Sequence, residues 1–134
     1  MRVPSASMQL IANESSEGRA VGEIQGVGWF KLDEGTLAEF NRLSSQCMEI
    51  VRTKDTGTLQ YEVYVSDDES EAIVLERYRD SDALIEHATN LGELGQAILA
   101  TGLASSQLLG EPSEELRGML AGSAVRLFRP FLSM

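Results

Sequence analysis

The sequence predicts an α+β fold of the split βαβ kind, one antiparallel sheet with its helices on one face, and three observations predict it. Short segments with apolar and polar residues on alternate positions recur at 23–32, 58–65 and 72–79. Between and after them run longer stretches in which apolar residues return every three or four positions. The resulting order is strand, helix, strand, strand, helix or helices, strand. This is the ferredoxin-like arrangement, in which each helix crosses over and packs on the same side of one sheet. A chain of 134 residues fits one such domain with one core.

The first strand, 23–32, points Ile24, Phe30 and Leu32 to one face and Val27, Trp29 and Lys31 to the other. Gly26 and Gly28 fall on the Ile24 face, where missing side chains leave room for something packed against the sheet. From Thr36 to Arg52 the residues Leu37, Phe40, Leu43, Cys47, Ile50 and Val51 form the apolar stripe of a helix, which ends at the turn cluster Lys54-Asp55-Thr56-Gly57. Residues 58–65 put Leu59, Tyr61, Val63 and Val65 on one face and Thr58, Gln60, Glu62 and Tyr64 on the other. After the acidic connection Ser66 to Glu71, residues 72–79 form a strand with Ile73 and Leu75 opposed to Val74, Glu76 and Tyr78.

Asp80-Ser81-Asp82 supplies the cap and acidic first turn of a helix through Leu84, Ile85, His87 and Ala88. A second helical stretch, bent near Asn90 and Gly92, continues through Leu94, Ile98, Leu99 and Leu103. Pro112-Ser113-Glu114-Glu115 opens a short helix to Ala121, with Gly122 at its end, and Ala124 to Leu132 closes the sheet as an edge strand. Two strands are apolar on both faces: Val27 and Trp29 lie opposite Phe30 and Leu32, and Val74 and Tyr78 opposite Ile73 and Leu75. A wet second face would expose an apolar patch on the order of several hundred Å², so a homodimer through the sheet face is expected, forming a dimeric α+β barrel.

Lys and Arg number 11 against 21 Asp and Glu, a formal charge of −10 that repels nucleic acid and anionic membrane surfaces. Cys47 is the only cysteine and lies within a helical pattern, which points to a buried thiol in a reducing cytoplasm. Residues 1–22 read as a flexible arm and 23–134 as the domain; no apolar run has the length of a signal peptide or a membrane span.

The runs Gly57-Thr58-Leu59-Gln60-Tyr61-Glu62-Val63-Tyr64 and Leu75-Glu76-Arg77-Tyr78-Arg79-Asp80-Ser81-Asp82-Ala83-Leu84, followed by Glu86-His87, resemble the antibiotic-biosynthesis monooxygenase superfamily from about Glu23 to Leu103. The resemblance implies a dimeric ferredoxin-like barrel. It also implies one of several functions: cofactor-independent oxygenation of quinols and anthrones, haem degradation, or none established. Haem-degrading members use an Asn near the first strand, a sheet Trp and a helix His; here His87 matches, but the first strand has no Asn and Trp29 lies on a different strand.

His87, the only histidine, shares a helix face with Leu84, Ala88 and Leu91 and so points toward the sheet. A core histidine with one hydrogen bond is the plain reading; as a general base it would take a proton from a phenolic or quinol substrate. Glu76, among apolar strand residues, needs a partner or a raised pKa; Arg77 lies on the other strand face, so an Arg or Lys of a second subunit is the plain reading and a base role the lesser alternative. Trp29, Tyr61, Tyr78 and Asn90 are candidates to bind substrate, with core or interface packing the default reading for the aromatic ones and substrate contact the lesser. One His and one Cys cannot form a His/Cys metal site, and no phosphate-binding glycine loop follows a strand, so no metal or cofactor is expected. Two functions fit: a cofactor-independent monooxygenase acting on a small aromatic or quinol substrate, and a non-catalytic dimeric domain, small-ligand-binding or stress-response, holding an apolar ligand.

Overall fold

The structure is a computed structural model that describes residues 22–134. The arm expected over residues 1–22 therefore lies, but for Gly22, outside the described residues. The strands are β1 (Ile24–Lys31), β2 (Thr58–Val65), β3 (Glu71–Tyr78), β4 (Leu103–Leu109) and β5 (Arg126–Phe128). The helices are α1 (Glu34–Lys54), α2 (Ser81–Leu91), α3 (Glu93–Leu99) and α4 (Glu114–Leu120). The sheet runs β2-β3-β1-β4-β5, antiparallel across its first four strands and parallel between β4 and β5. The α+β class and the ferredoxin-like order predicted from the sequence are the ones observed. The sheet does not close on itself.

Local signals set the helix ends. Asp33 opens α1 with a capping box: its carboxylate accepts from the Thr36 N–H at 3.0 Å, and the Thr36 hydroxyl accepts from the Asp33 N–H at 2.9 Å. Asp80 caps α2 by accepting from Ala83 N–H at 2.9 Å, and Ser113 caps α4 by accepting from Leu116 N–H at 3.1 Å. The apolar stripe of α1, Phe40, Leu43 and Cys47, packs with Ile98 of α3 on Phe30, Ala72 and Val74 of the sheet. The Phe30 and Phe40 rings meet at 5.0 Å and 55°. A smaller core joins Ile24 and Leu108 to Leu116 of α4. Among the described residues no helix is long and apolar enough to cross a membrane.

Four sequence expectations need correction. The fourth strand of the ferredoxin-like sheet is Leu103–Leu109, not the segment from Ala124 to Leu132, and Leu103 begins that strand where a helix was expected. The run LASSQLL lacks alternation and strong strand formers, so its pairing with β1 decides its conformation. The segment after Ala124 contributes only the three exposed residues of β5, parallel to β4. The faces of β3 are also exchanged: Ala72, Val74, Glu76 and Tyr78 turn to the helices, while Ile73 and Leu75 share the outer face with Val27 and Trp29. Pairing forces this, because Gly28 lies opposite Val74 and Val27 opposite Leu75, and opposed residues share a face. Finally, a register shift between Thr58 and Gln60 displaces Leu59, leaving it exposed and placing Thr58 toward α2.

Gly102 joins α3 to β4 beside the end of β1, where a Cβ would lie 2.1 Å from the Lys31 carbonyl oxygen. Backbone cannot yield cheaply there. Gly102→Ala is expected to lower unfolding stability by about 2–4 kcal/mol in urea titration, as strain at a special backbone position does.

Candidate functional site

Asp55 follows the last turn of α1 and caps its C-terminal end. The unpaired carbonyls of a helix C-terminus carry negative partial charge, so a carboxylate there needs support from elsewhere. Three donors supply it. Asn90 Nδ2 donates to Oδ1 at 2.9 Å, and the Thr58 hydroxyl and His87 Nδ1 both meet Oδ2 at 2.7 Å. The two side chains of the Asp55–His87 pair are 1% and 6% exposed. Burial pushes the Asp55 carboxyl up, but the bonds from Asn90, Thr58 and His87 outweigh it and hold the group below its ordinary value. An ionised carboxylate only accepts, so His87 Nδ1 carries a proton, and in the neutral imidazole Nε2 is the acceptor nitrogen. Among the described residues Nε2 has no hydrogen-bond partner.

The turn carrying Asp55 is locked to α2. Glu86 accepts from the Thr56 N–H and hydroxyl, both at 3.0 Å, and Gly57 C=O accepts from Arg79 N–H at 2.9 Å. Gly57 itself lies so near α2 that a Cβ would stand 2.5 Å from the Ala83 Cβ. His87 and Asn90 then reach Asp55 from one face of α2, three residues apart.

Two tyrosine rings flank the imidazole, Tyr78 at 5.3 Å and Tyr61 at 5.5 Å between centroids. Tyr78 donates a short hydrogen bond to Glu76. Burial drives the Glu76 carboxyl up, against the lowering effects of His87 and Tyr78, with the Asp55 charge adding to the rise. Burial also raises both phenols, reinforced by Glu76, so Tyr61 and Tyr78 stay protonated. The Cys47 thiol is raised chiefly by burial and is no thiolate.

These groups border a cavity of about 260 Å³ between sheet and helices. Gly26 and Gly28 form part of its floor, as their missing side chains led one to expect. Tyr61, Glu76, Tyr78 and His87 supply polar groups at one side and Gln96, Ser106 and Gln107 at the other, while Leu84, Leu91, Ile98, Leu108, Leu120 and Val125 are among its apolar walls. Among the described residues no Lys or Arg lines it.

Of the residues singled out in the sequence, His87, Glu76, Tyr61 and Tyr78 thus come together. Trp29 does not join them: it lies on the outer face, its Nε1 donating to Glu71 at 2.7 Å with the Lys31 ammonium 5.2 Å from its ring. Asn90 is not a wall of the cavity either; it holds Asp55. Within the chain, the hydrogen bond of Glu76 comes from Tyr78. Asp55 and Thr58 were missed. The available signal was an aspartate placed directly after the helix end it opposes electrostatically. Among the described residues no three of His, Cys, Asp and Glu gather as a metal site requires.

The model of the antibiotic biosynthesis monooxygenase family matches residues 27–97, just over half of the chain. The chain belongs to that family. Solved structures share its fold. MupZ from Pseudomonas fluorescens superposes with TM-score 0.75 at 21% identity, over 90% of this chain and 94% of that one. Rv0793 from Mycobacterium tuberculosis gives 0.58 at 21%, over 69% and 98%. A Caulobacter crescentus protein gives 0.56 at 26%, over 66% and 86%. In the latter two about a third of this family member has no counterpart, more than its first 21 residues account for. No curated protein sequence matches the chain.

The two carboxyls shift in opposite directions, so their contributions to stability change with pH in opposite senses. Asp55, lowered, stabilises the fold above its ordinary value of 3.8, and that contribution is lost as pH falls through the still lower native value. Asp55→Asn should therefore be less stable at pH 7 and lose part of the acid-side slope. Glu76, raised, favours the fold below 4.5 and loses that contribution as pH rises through its native value. Glu76→Gln should gain stability over the wild type as pH rises from 4.5 to 8, read by thermal melts; a gain that shrinks with pH would contradict the assignment.

Proposed function

We propose that this family member is a cofactor-independent monooxygenase-type enzyme that oxidises a small, uncharged aromatic or quinol substrate with O₂. The observation that carries the reading is the buried Asp55–His87 pair, with an unpartnered Nε2 on a residue that lines the cavity. Asp55 fixes the tautomer in which Nε2 accepts, and Nε2 takes the proton of an acidic C–H or O–H. The electron-rich anion adds O₂ at carbon; the hydroperoxide regains a proton and loses water, leaving a carbonyl. One oxygen atom enters the product and the other leaves as water. Glu76, held by burial toward its neutral form, offers a hydrogen bond to the substrate oxygen without placing a second anion beside the one that forms. The described walls hold no Lys or Arg, which favours a substrate without a carboxylate or phosphate.

A second reading, a non-catalytic small-ligand-binding domain, draws on the apolar walls of the same cavity. Oxygen consumption on a panel of quinols and anthrones separates the two. Wild-type turnover that falls about 100-fold or more in His87→Ala, the size of a lost general base, supports the enzyme. Equal rates in both proteins remove His87 from the chemistry.

We infer a homodimer for either function, through the outer face where Val27, Trp29, Ile73 and Leu75 lie half-exposed side by side. Light scattering at micromolar concentration should give twice the chain mass, and Leu75→Asp should return it to one. A monomeric wild type would refute the dimer.

A further inference from the structure

The cavity has two chemically different ends, and the second is built by a part of the chain beyond the family match at residue 97. Tyr61 on β2, Glu76 on β3, Gly26 on β1 and Leu108 on β4 lie directly opposite one another in a row across the sheet. Neighbouring strands lie about 4.8 Å apart, so the row carries the floor roughly 10 Å from Glu76 to Leu108. Gly26 at its middle puts no side chain in the way. The parallel row runs from Val74 through Gly28 to Ser106, again with glycine at the centre. The cavity is therefore a trough crossing the sheet, with Tyr61, Glu76 and His87 toward the β2–β3 side and with Leu108, Leu120 and Val125 forming a hydrocarbon side at β4, beside Ser106 and Gln107.

What closes the hydrocarbon side is the C-terminal unit of α4 and β5. Leu116 is 3% exposed and anchors α4 on Ile24 and Leu108. Ser113 N–H donates to Ser81 Oγ at 2.9 Å, tying the start of α4 to α2, and Gly110 N–H donates to Phe128 C=O at 2.9 Å, tying β5 to the end of β4. The anchored unit presents Leu120 and Val125 to the cavity.

Resting on the reading of this cavity as the ligand site, we propose that Leu120 and Val125 are specificity-determining residues. They set the length of hydrocarbon tail on an uncharged ligand whose single polar group sits at His87 and Glu76. The ligand class is a hydroxyl- or carbonyl-bearing ring with a short alkyl extension, spanning two strand spacings.

The test is a titration with phenol and 4-alkylphenols of increasing alkyl length, read at the ring nitrogens of His87 by NMR; as the only histidine it gives one unambiguous signal pair. In the wild type, affinity should rise about fourfold per methylene, the gain from burying each one, until the tail meets Leu120 and Val125, and then stop rising or fall. The double variant Leu120→Ala with Val125→Ala should move that limit to longer tails, and Leu120→Phe to shorter ones. An identical limit in all three proteins, with His87 still responding, overturns the proposal and leaves the site reading intact. No response of His87 to any phenol in the wild type overturns both.

Discussion

Asp55 is an anion placed out of water at the negative end of a helix, and much of this molecule is arranged around keeping it there. Removing an ion from water costs several kcal/mol even after relaxation. Hydrogen bonds to a charged group return about 1.5–3 kcal/mol each, and Asp55 accepts three. Those donors come from β2 and α2, so the pair holds together the end of one crossover helix, the start of a strand and the face of the other helix. The tight fit of Gly57 on Ala83 and the Thr56–Glu86 bonds serve the same docking. A histidine oriented in this way has one nitrogen committed and the other available, which is the property a proton acceptor needs.

The second constraint is where the sheet omits side chains. Close packing leaves few voids larger than a water molecule in a domain core, so a cavity of about 260 Å³ requires a structural cause. Gly26 and Gly28 on β1 supply it by lowering the floor between Glu76 and Leu108 and between Val74 and Ser106. Carboxyl groups on either side of the imidazole then experience opposite surroundings: Asp55 is saturated with donors, while Glu76 has burial and a tyrosine hydroxyl. Groups whose ionisation is pushed apart in one site are suited to opposite roles in proton transfer.

The family fold is shared with proteins only about a fifth to a quarter identical in sequence, and the fold by itself does not carry an activity. The character of this site is local: the donor set on Asp55, the burial of Glu76, and an α4–β5 unit lying past the family match that contributes to the same cavity. The outer face of the sheet carries a separate apolar patch, with Trp29 among it and away from the cavity.

Elements governed by local chemistry were legible in the sequence. The alternation of β2, the stripe and end of α1, and the caps of α2 and α4 follow from period and from short-range hydrogen bonds, and they sufficed for the order of the fold. The His87 face of α2 and the glycine gap on β1 were legible for the same reason. Three features were not. With apolar residues on both faces of β3, period alone cannot say which face meets the helices; pairing with β1 decides it. The weakly patterned β4 becomes a strand because β1 offers it an edge. The partnership of Asp55 and His87 spans 32 residues of chain, and a bond at that separation exists only once two helices and a strand have been brought to one place. The sequence thus determined the elements and the side chains available for chemistry, whereas tertiary structure decided which of them meet, because burial and long-range pairing depend on where the rest of the chain lies.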